Sequence, residues 1–184
     1  MNGASPFRRQ PRHDVRDAPV LNDLLGNDLA DPIRIDHHGV FEGYASLFGV
    51  ADLGKDVVEA GAFALSLSRR GASGVRMLWQ HDPALPIGRW TSLREDVRGL
   101  YVRGRLSLGV ARARELHVLL GDGAIDGLSI GFRTVKARTD PRNGLRRLTE
   151  IDLWEISLVT FPLLPQARVT AVKAAQRAGS TFRL

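Results

Sequence analysis

Residues 87–108 read IGRWTSLREDVRGLYVRGRLSL, and their alternation decides the fold class. In the second half, Leu100, Val102 and Leu106 alternate with Tyr101, Arg103 and Arg105. Successive side chains of an extended chain point to opposite faces, so residues 99–108 read as a strand with one apolar and one wet face. Residues 87–96 read as a second strand, and the short link near Asp96–Gly99 is a tight hairpin turn. Strands joined so closely must run antiparallel.

The same reading extends outward. Upstream, GVFEGYASLF (39–48) sets Val40, Glu42, Tyr44 and Ser46 against Phe41, Gly43, Ala45 and Leu47. DVVEAGAF leads into a short helix at about 61–70 that ends in Arg69-Arg70. GVRMLWQ (74–80) is a strand with Val75, Met77 and Trp79 on one side, and His81 ends it on that side. The following Asp82-Pro83 predicts a sharp turn there, since proline holds its predecessor extended. Downstream, Val110, Ala113, Leu116 and Leu120 recur at helical spacing in 110–120, with Gly121 and Gly123 to stop the helix. Strands return at 127–136, 145–160 and about 167–173, the first two linked by the turn residues TDPRNG at 139–144. The sum is an α+β domain, mainly antiparallel, whose many short strands point to a closed or partly closed β-barrel flanked by helices.

Three segments follow from composition. Residues 1–38 are rich in Arg, Asp, Asn and Pro and read as a mobile arm, with one short amphipathic helix at 20–31. Residues 39–173 form the folded domain, and 174–184 a flexible tail. The chain has 184 residues, 43% apolar and 25% charged, the composition of one ordinary globular domain. It has no cysteine, which excludes disulfides, thiol catalysis and thiolate metal sites. The formal charge of +6 comes from 23 arginines and 3 lysines scattered along the chain. Nucleic-acid recognition needs a focused basic patch, so DNA or RNA binding is disfavoured. No apolar run reaches a membrane-spanning length, and the twin arginine at 8–9 lacks the apolar stretch of an export signal, so a cytoplasmic protein is expected.

Three residues stand out chemically. In GLSIGF (127–132) Ser129 sits opposite the apolar set Leu128, Ile130 and Phe132, between the small residues Gly127 and Gly131. It is either a surface hydroxyl or a nucleophile in need of a base. His81, at a strand end, is either a capping residue with one hydrogen bond or that base. His13, His37 and His38 lie in the arm, and His117 lies on the 110–120 helix. Glu155 interrupts IDLWEISLVTFP (151–162), a run apolar on both faces, and is placed on the side of Leu153, Ser157 and Val159. A carboxylate there is costly unless paired, by an arginine in the plain reading or by a catalytic imidazole in the sharper one. Asp82 is the weaker candidate for that second role, because sequence neighbours in an extended chain point apart.

Taken together, HDPALPIGRW with His81, GAIDGLSIGF with Ser129 and LWEISLVTFPLLPQARVTAVK with Glu155 resemble the prohead maturation proteases of tailed phages. FEGYASLFGVADLGKDVVEAGAF resembles the opening of the same family, and the likeness runs in order from about Phe41 to Lys173. The resemblance implies a serine endopeptidase related in fold to the herpesvirus assemblins, with Ser129 as nucleophile and His81 as general base. Herpesvirus relatives use a second histidine late in the chain as the third member. Here no histidine follows His117, and Glu155 is similar in position to the acidic third residue of phage members. The implied substrate is the scaffold, or the scaffold-like N-terminal segment of the major capsid protein, inside the procapsid in the bacterial cytoplasm. Self-cleavage is implied as well; a homodimer is left open, as is the choice among phage, prophage and gene-transfer particle. No metal or cofactor is implied. The alternatives are a catalytically silent capsid-assembly protein of the same fold, which intact Ser129, His81 and Glu155 argue against, and a basic DNA-packaging protein.

Overall fold

The computed structural model describes residues 35–170. The expectations for the arm before residue 35, its helix at 20–31 and the tail at 174–184 lie outside the described residues.

The elements in chain order are β1 (Val40–Leu47), β2 (Asp56–Val58), α1 (Ala64–Arg70), β3 (Arg76–Trp79), β4 (Asp82–Glu95), β5 (Gly99–Leu106), α2 (Ala111–Gly121), β6 (Gly127–Thr139), β7 (Arg146–Val159) and β8 (Val169–Thr170). The strands form one curled sheet with neighbours in the order β7-β3-β4-β5-β1-β8, and β6 lies along the other side of β7. A single bridge between Gly127 and Arg168 brings the start of β6 to the segment leading into β8. Hydrogen bonds from Leu128 N to Ala167 O (2.9 Å) and from Val169 N to Asp126 O (2.8 Å) complete that seam. The α+β class, with a curled, mainly antiparallel sheet and two helices, is as the sequence predicts.

β4 and β5 pair antiparallel from Gly88↔Leu106 to Glu95↔Leu100, and the turn closes through Asp96 N to Gly99 O at 3.0 Å. Leu100, Val102 and Leu106 face the core with Phe41, Met77, Ile87 and Trp90, while Arg103 and Arg105 face water. Fully burying side chains of this size stabilises the fold by about 1.5–3 kcal/mol each.

Three local expectations change. β4 begins at Asp82 instead of Ile87, because register shifts opposite Leu78 accommodate Pro83 and Pro86 without ladder bonds. Val110 precedes α2 and is largely exposed; Ala113, Leu116 and Leu120 alone carry its buried stripe. Residues 56–58 are not merely a lead into α1, since they pair with β7. β2 and β3 lie end to end along one edge of β7, both parallel to it. That leaves β7 hydrogen-bonded along both of its edges.

Candidate active site

The site lies where β6, β7 and the β3–β4 turn meet. β6 and β7 pair with Ser129 opposite Ser157 and Gly131 opposite Glu155. β3 adds from the other edge of β7, with Leu78 beside Ser157 and Trp79 beside Leu158. The chain reverses through Gln80 and His81, with Trp79 paired to Asp82.

That turn differs from the expected one. Gln80 and His81 have φ of 54° and 61°, so the reversal is centred on these two residues and not on Asp82-Pro83. Two positive φ values are what a tight turn matched to strand twist requires, yet neither residue is the glycine or asparagine that adopts them cheaply. Each non-glycine residue in this region costs on the order of 1–3 kcal/mol unless its surroundings fix it. β7 and the residue that follows it do so: Gln80 N donates to Leu158 O (3.0 Å), Gln80 Nε2 to Thr160 Oγ1 (2.7 Å) and His81 N to Ser157 Oγ (3.1 Å). His81 is thereby lifted from the strand end onto the turn. Asp82 accepts Ala84 N at 2.8 Å and is occupied in shaping the chain after it.

Glu155 reaches the same place through a bulge. Gly131 pairs with Glu155 and Phe132 with Leu153, which leaves Trp154 as an extra residue on β7. The extra residue flips the alternation, so Leu153 and Ile156 both enter the core, while Glu155 shares a face with Ser157. The placement of Glu155 on the Leu153 side is therefore corrected. Ser66 of α1, itself buried, accepts Leu153 N at 2.8 Å beside the bulge.

The side chains then line up. His81 Nε2 is 2.9 Å from Ser129 Oγ, and His81 Nδ1 is 2.6 Å from Glu155 Oε1. A carboxylate only accepts, so a neutral His81 donates from Nδ1 and leaves Nε2 free to accept the serine proton. The second carboxylate oxygen, Oε2, accepts Ser157 Oγ–H at 2.6 Å. The His81 side chain is 44% exposed and that of Glu155 only 13%, so solvent and substrate reach the imidazole while the carboxylate is shielded. The hydrogen bond that His81 donates to Glu155, reinforced by the carboxylate's negative charge, raises the His81 pKa above the usual histidine value, against the opposing effect of partial burial. Gly131 makes room for this carboxylate: a Cβ there would stand 1.9 Å from Glu155 Oε1.

The other candidates lie elsewhere. His117 is 2.9 Å from the carbonyl oxygen of Asp36 through Nε2. Arg133, two residues beyond Gly131 on β6, pairs with Asp152 at 3.6 Å. Beside Ser129 a small cleft runs into the molecule, lined mainly by apolar residues including Leu47, Val58, Ile130 and Leu164. Among the described residues no cluster of three or more His, Asp or Glu could hold a metal ion.

A serine, imidazole and carboxylate so arranged can deprotonate a hydroxyl for attack on a carbonyl. The family model for the caudovirus prohead serine protease matches residues 30–181. The chain belongs to that family. The prohead protease of Enterobacteria phage HK97 is 39% identical over 138 residues, 74% of this chain and 61% of its own length. The capsid polyprotein of Pseudomonas phage PAJU2 is 30% identical over 109 residues, 56% of this chain but only 16% of the polyprotein. Among solved structures, the bacteriophage T4 capsid assembly protease superposes with a TM-score of 0.52 at 15% identity, covering 65% of this chain and 80% of that one. At that identity the likeness speaks for the fold. This prohead protease family member thus spans under two thirds of the HK97 relative.

Ser157, Ser66 and the Gln80–His81 turn were not singled out from sequence. A serine in an apolar strand gives no sign of which neighbour it serves. The turn carries no glycine to announce it.

Proposed function

We propose that this protein is a serine endopeptidase of phage-type capsid maturation, with Ser129 as nucleophile, His81 as general base and Glu155 as the residue that orients and charges His81. The observation that carries the reading is the unbroken chain from Ser129 Oγ to His81 Nε2 (2.9 Å) and from His81 Nδ1 to Glu155 Oε1 (2.6 Å).

In the first half-reaction His81 Nε2 takes the Ser129 proton as Oγ bonds to the scissile carbonyl carbon. The imidazolium that forms faces Glu155, whose negative charge stabilises it. The tetrahedral intermediate collapses when His81 returns the proton to the leaving amine, and the C–N bond breaks. Water then attacks the acyl-enzyme with the same base, releasing the new carboxyl end and restoring Ser129.

The substrate we assign is the major capsid protein, through its scaffold-like N-terminal segment or a separate scaffold chain, inside the assembling procapsid of a bacterial host. Membership of the prohead protease family supports this, as does the matching segment within a capsid polyprotein. Self-cleavage belongs to the same proposal, with residues 1–38 and 174–184 as the first targets. Among the described residues no helix is long and apolar enough to cross a membrane.

A fluorophosphonate probe, which esterifies activated serines, tests the reading directly. The expected outcome is one adduct per chain, mapped to Ser129 by peptide mass and absent from Ser129→Ala and His81→Ala. Labelling elsewhere, or equal labelling of the Ser129→Ala protein, would remove Ser129 from its role.

A further inference from the structure

Ser157 is fully buried, a serine within the buried run Ile156–Val159 that ends β7. Its hydroxyl has one proton and bonds two groups. Glu155 Oε2, an acceptor only, receives that proton at 2.6 Å. The oxygen lone pair then accepts the backbone N–H of His81 at 3.1 Å. No other orientation of the hydroxyl satisfies both partners.

This places one small group at both ends of the His81–Glu155 pair. It fixes the backbone of His81 within a turn of positive φ, and it holds one carboxylate oxygen so that the other points to His81 Nδ1. Ser157 also lies directly across from Ser129 on the neighbouring strand, so the positions of all three groups refer to a single pair of residues in the β6–β7 ladder. Among the described residues every buried side-chain polar atom is hydrogen-bonded, so this hydroxyl is part of a closed set of bonds.

We propose that Ser157 is a positioning residue of the catalytic site, which acts through Glu155 and His81 and does not itself touch the substrate. The proposal rests on the triad reading given above. Its alternative is a small residue that merely fills space between β6 and β3.

The substitution Ser157→Ala removes one oxygen from a tightly packed site, so the chain keeps its shape. Two readouts separate positioning from filling. The first is the rate of fluorophosphonate labelling per folded molecule. It should fall about 10- to 100-fold, the effect of losing a hydrogen bond to a charged group. The second is the downfield proton resonance of the His81 Nδ1–H, which should broaden or move upfield as the bond to Glu155 loosens. Combining Ser157→Ala with Glu155→Gln should then cost little beyond Glu155→Gln alone, because both act through one carboxylate. Labelling within about twofold of wild type, or full additivity in the double variant, overturns the proposal. Ser129→Ala run in parallel keeps the two readings apart. If it still labels, the triad reading fails; if only Ser157→Ala is neutral, Ser157 alone loses its role.

Discussion

At the residue scale, Gly131 and Glu155 show how one missing Cβ opens a site. A Cβ at Gly131 would strike three successive atoms of the Glu155 side chain, Oε1 at 1.9 Å, Cδ at 2.7 Å and Cγ at 2.9 Å, so that side chain must move as a whole. The nearest of the three is the carboxylate oxygen bonded to His81. Gly131→Ala should therefore lower activity per folded molecule at least about tenfold, since about 1.4 kcal/mol of lost transition-state stabilisation suffices. Equal activity in the two proteins would show that the carboxylate position does not matter. The pH profile tests the same contact. A histidine base acts only when neutral, and Glu155 favours the protonated form of His81, so on the proposed reading the ascending limb should lie above the ordinary histidine value of about 6.5. Glu155→Gln should lower both the plateau and the midpoint of that limb. A rate flat from about pH 5 to 8 contradicts a histidine base. Stability carries the opposite sign. A raised histidine pKa contributes to folding below the unfolded value and is lost as pH rises through the folded one, so the pair stabilises most under conditions where the enzyme is least active.

At the scale of elements, β7 supplies Glu155, its two flanking strands deliver Ser129 and His81, and two irregularities aim them. The β6 strand was legible because Ser129 and Gly131 alternate cleanly with Leu128, Ile130 and Phe132. Glu155 was legible as an expensive carboxylate in an apolar run. The bulge at Trp154 was not, because a one-residue insertion leaves no mark on composition and depends on which partner residue it faces. Nor was the Gln80–His81 turn, whose conformation is imposed by hydrogen bonds to β7, more than 70 residues away in sequence. Parallel pairing of β2 and β3 with β7 is invisible for the same reason. Ser66 ties α1 to this arrangement through the Leu153 amide. Its replacement by alanine leaves that buried amide without its partner and should cost about 1–3 kcal/mol in urea unfolding. An unchanged midpoint would mean that packing alone holds the bulge.

At the scale of the molecule, the curl of the sheet brings β6 back to the chain segment before β8, and the strand bearing Ser129 begins at that seam. The curl was foreseen from the number of short strands; its seam rests on one bridge and could not be. Several of the scattered arginines are paired: Arg70 and Arg133 with Asp152, Arg146 with Asp56, and Arg147 with Glu59. Exposed pairs of this kind contribute roughly 0–1 kcal/mol each. What remains for the whole protein is the hydrolysis itself. The most direct measurement is the mass of the major capsid protein after co-expression with wild-type protein or with Ser129→Ala, both shown to be folded by their melting temperatures. The account predicts a capsid chain shortened at a discrete site by wild type and left intact by Ser129→Ala, since loss of a triad nucleophile costs on the order of 10⁴ to 10⁶ in rate. Trimming by Ser129→Ala at near the wild-type rate would contradict it.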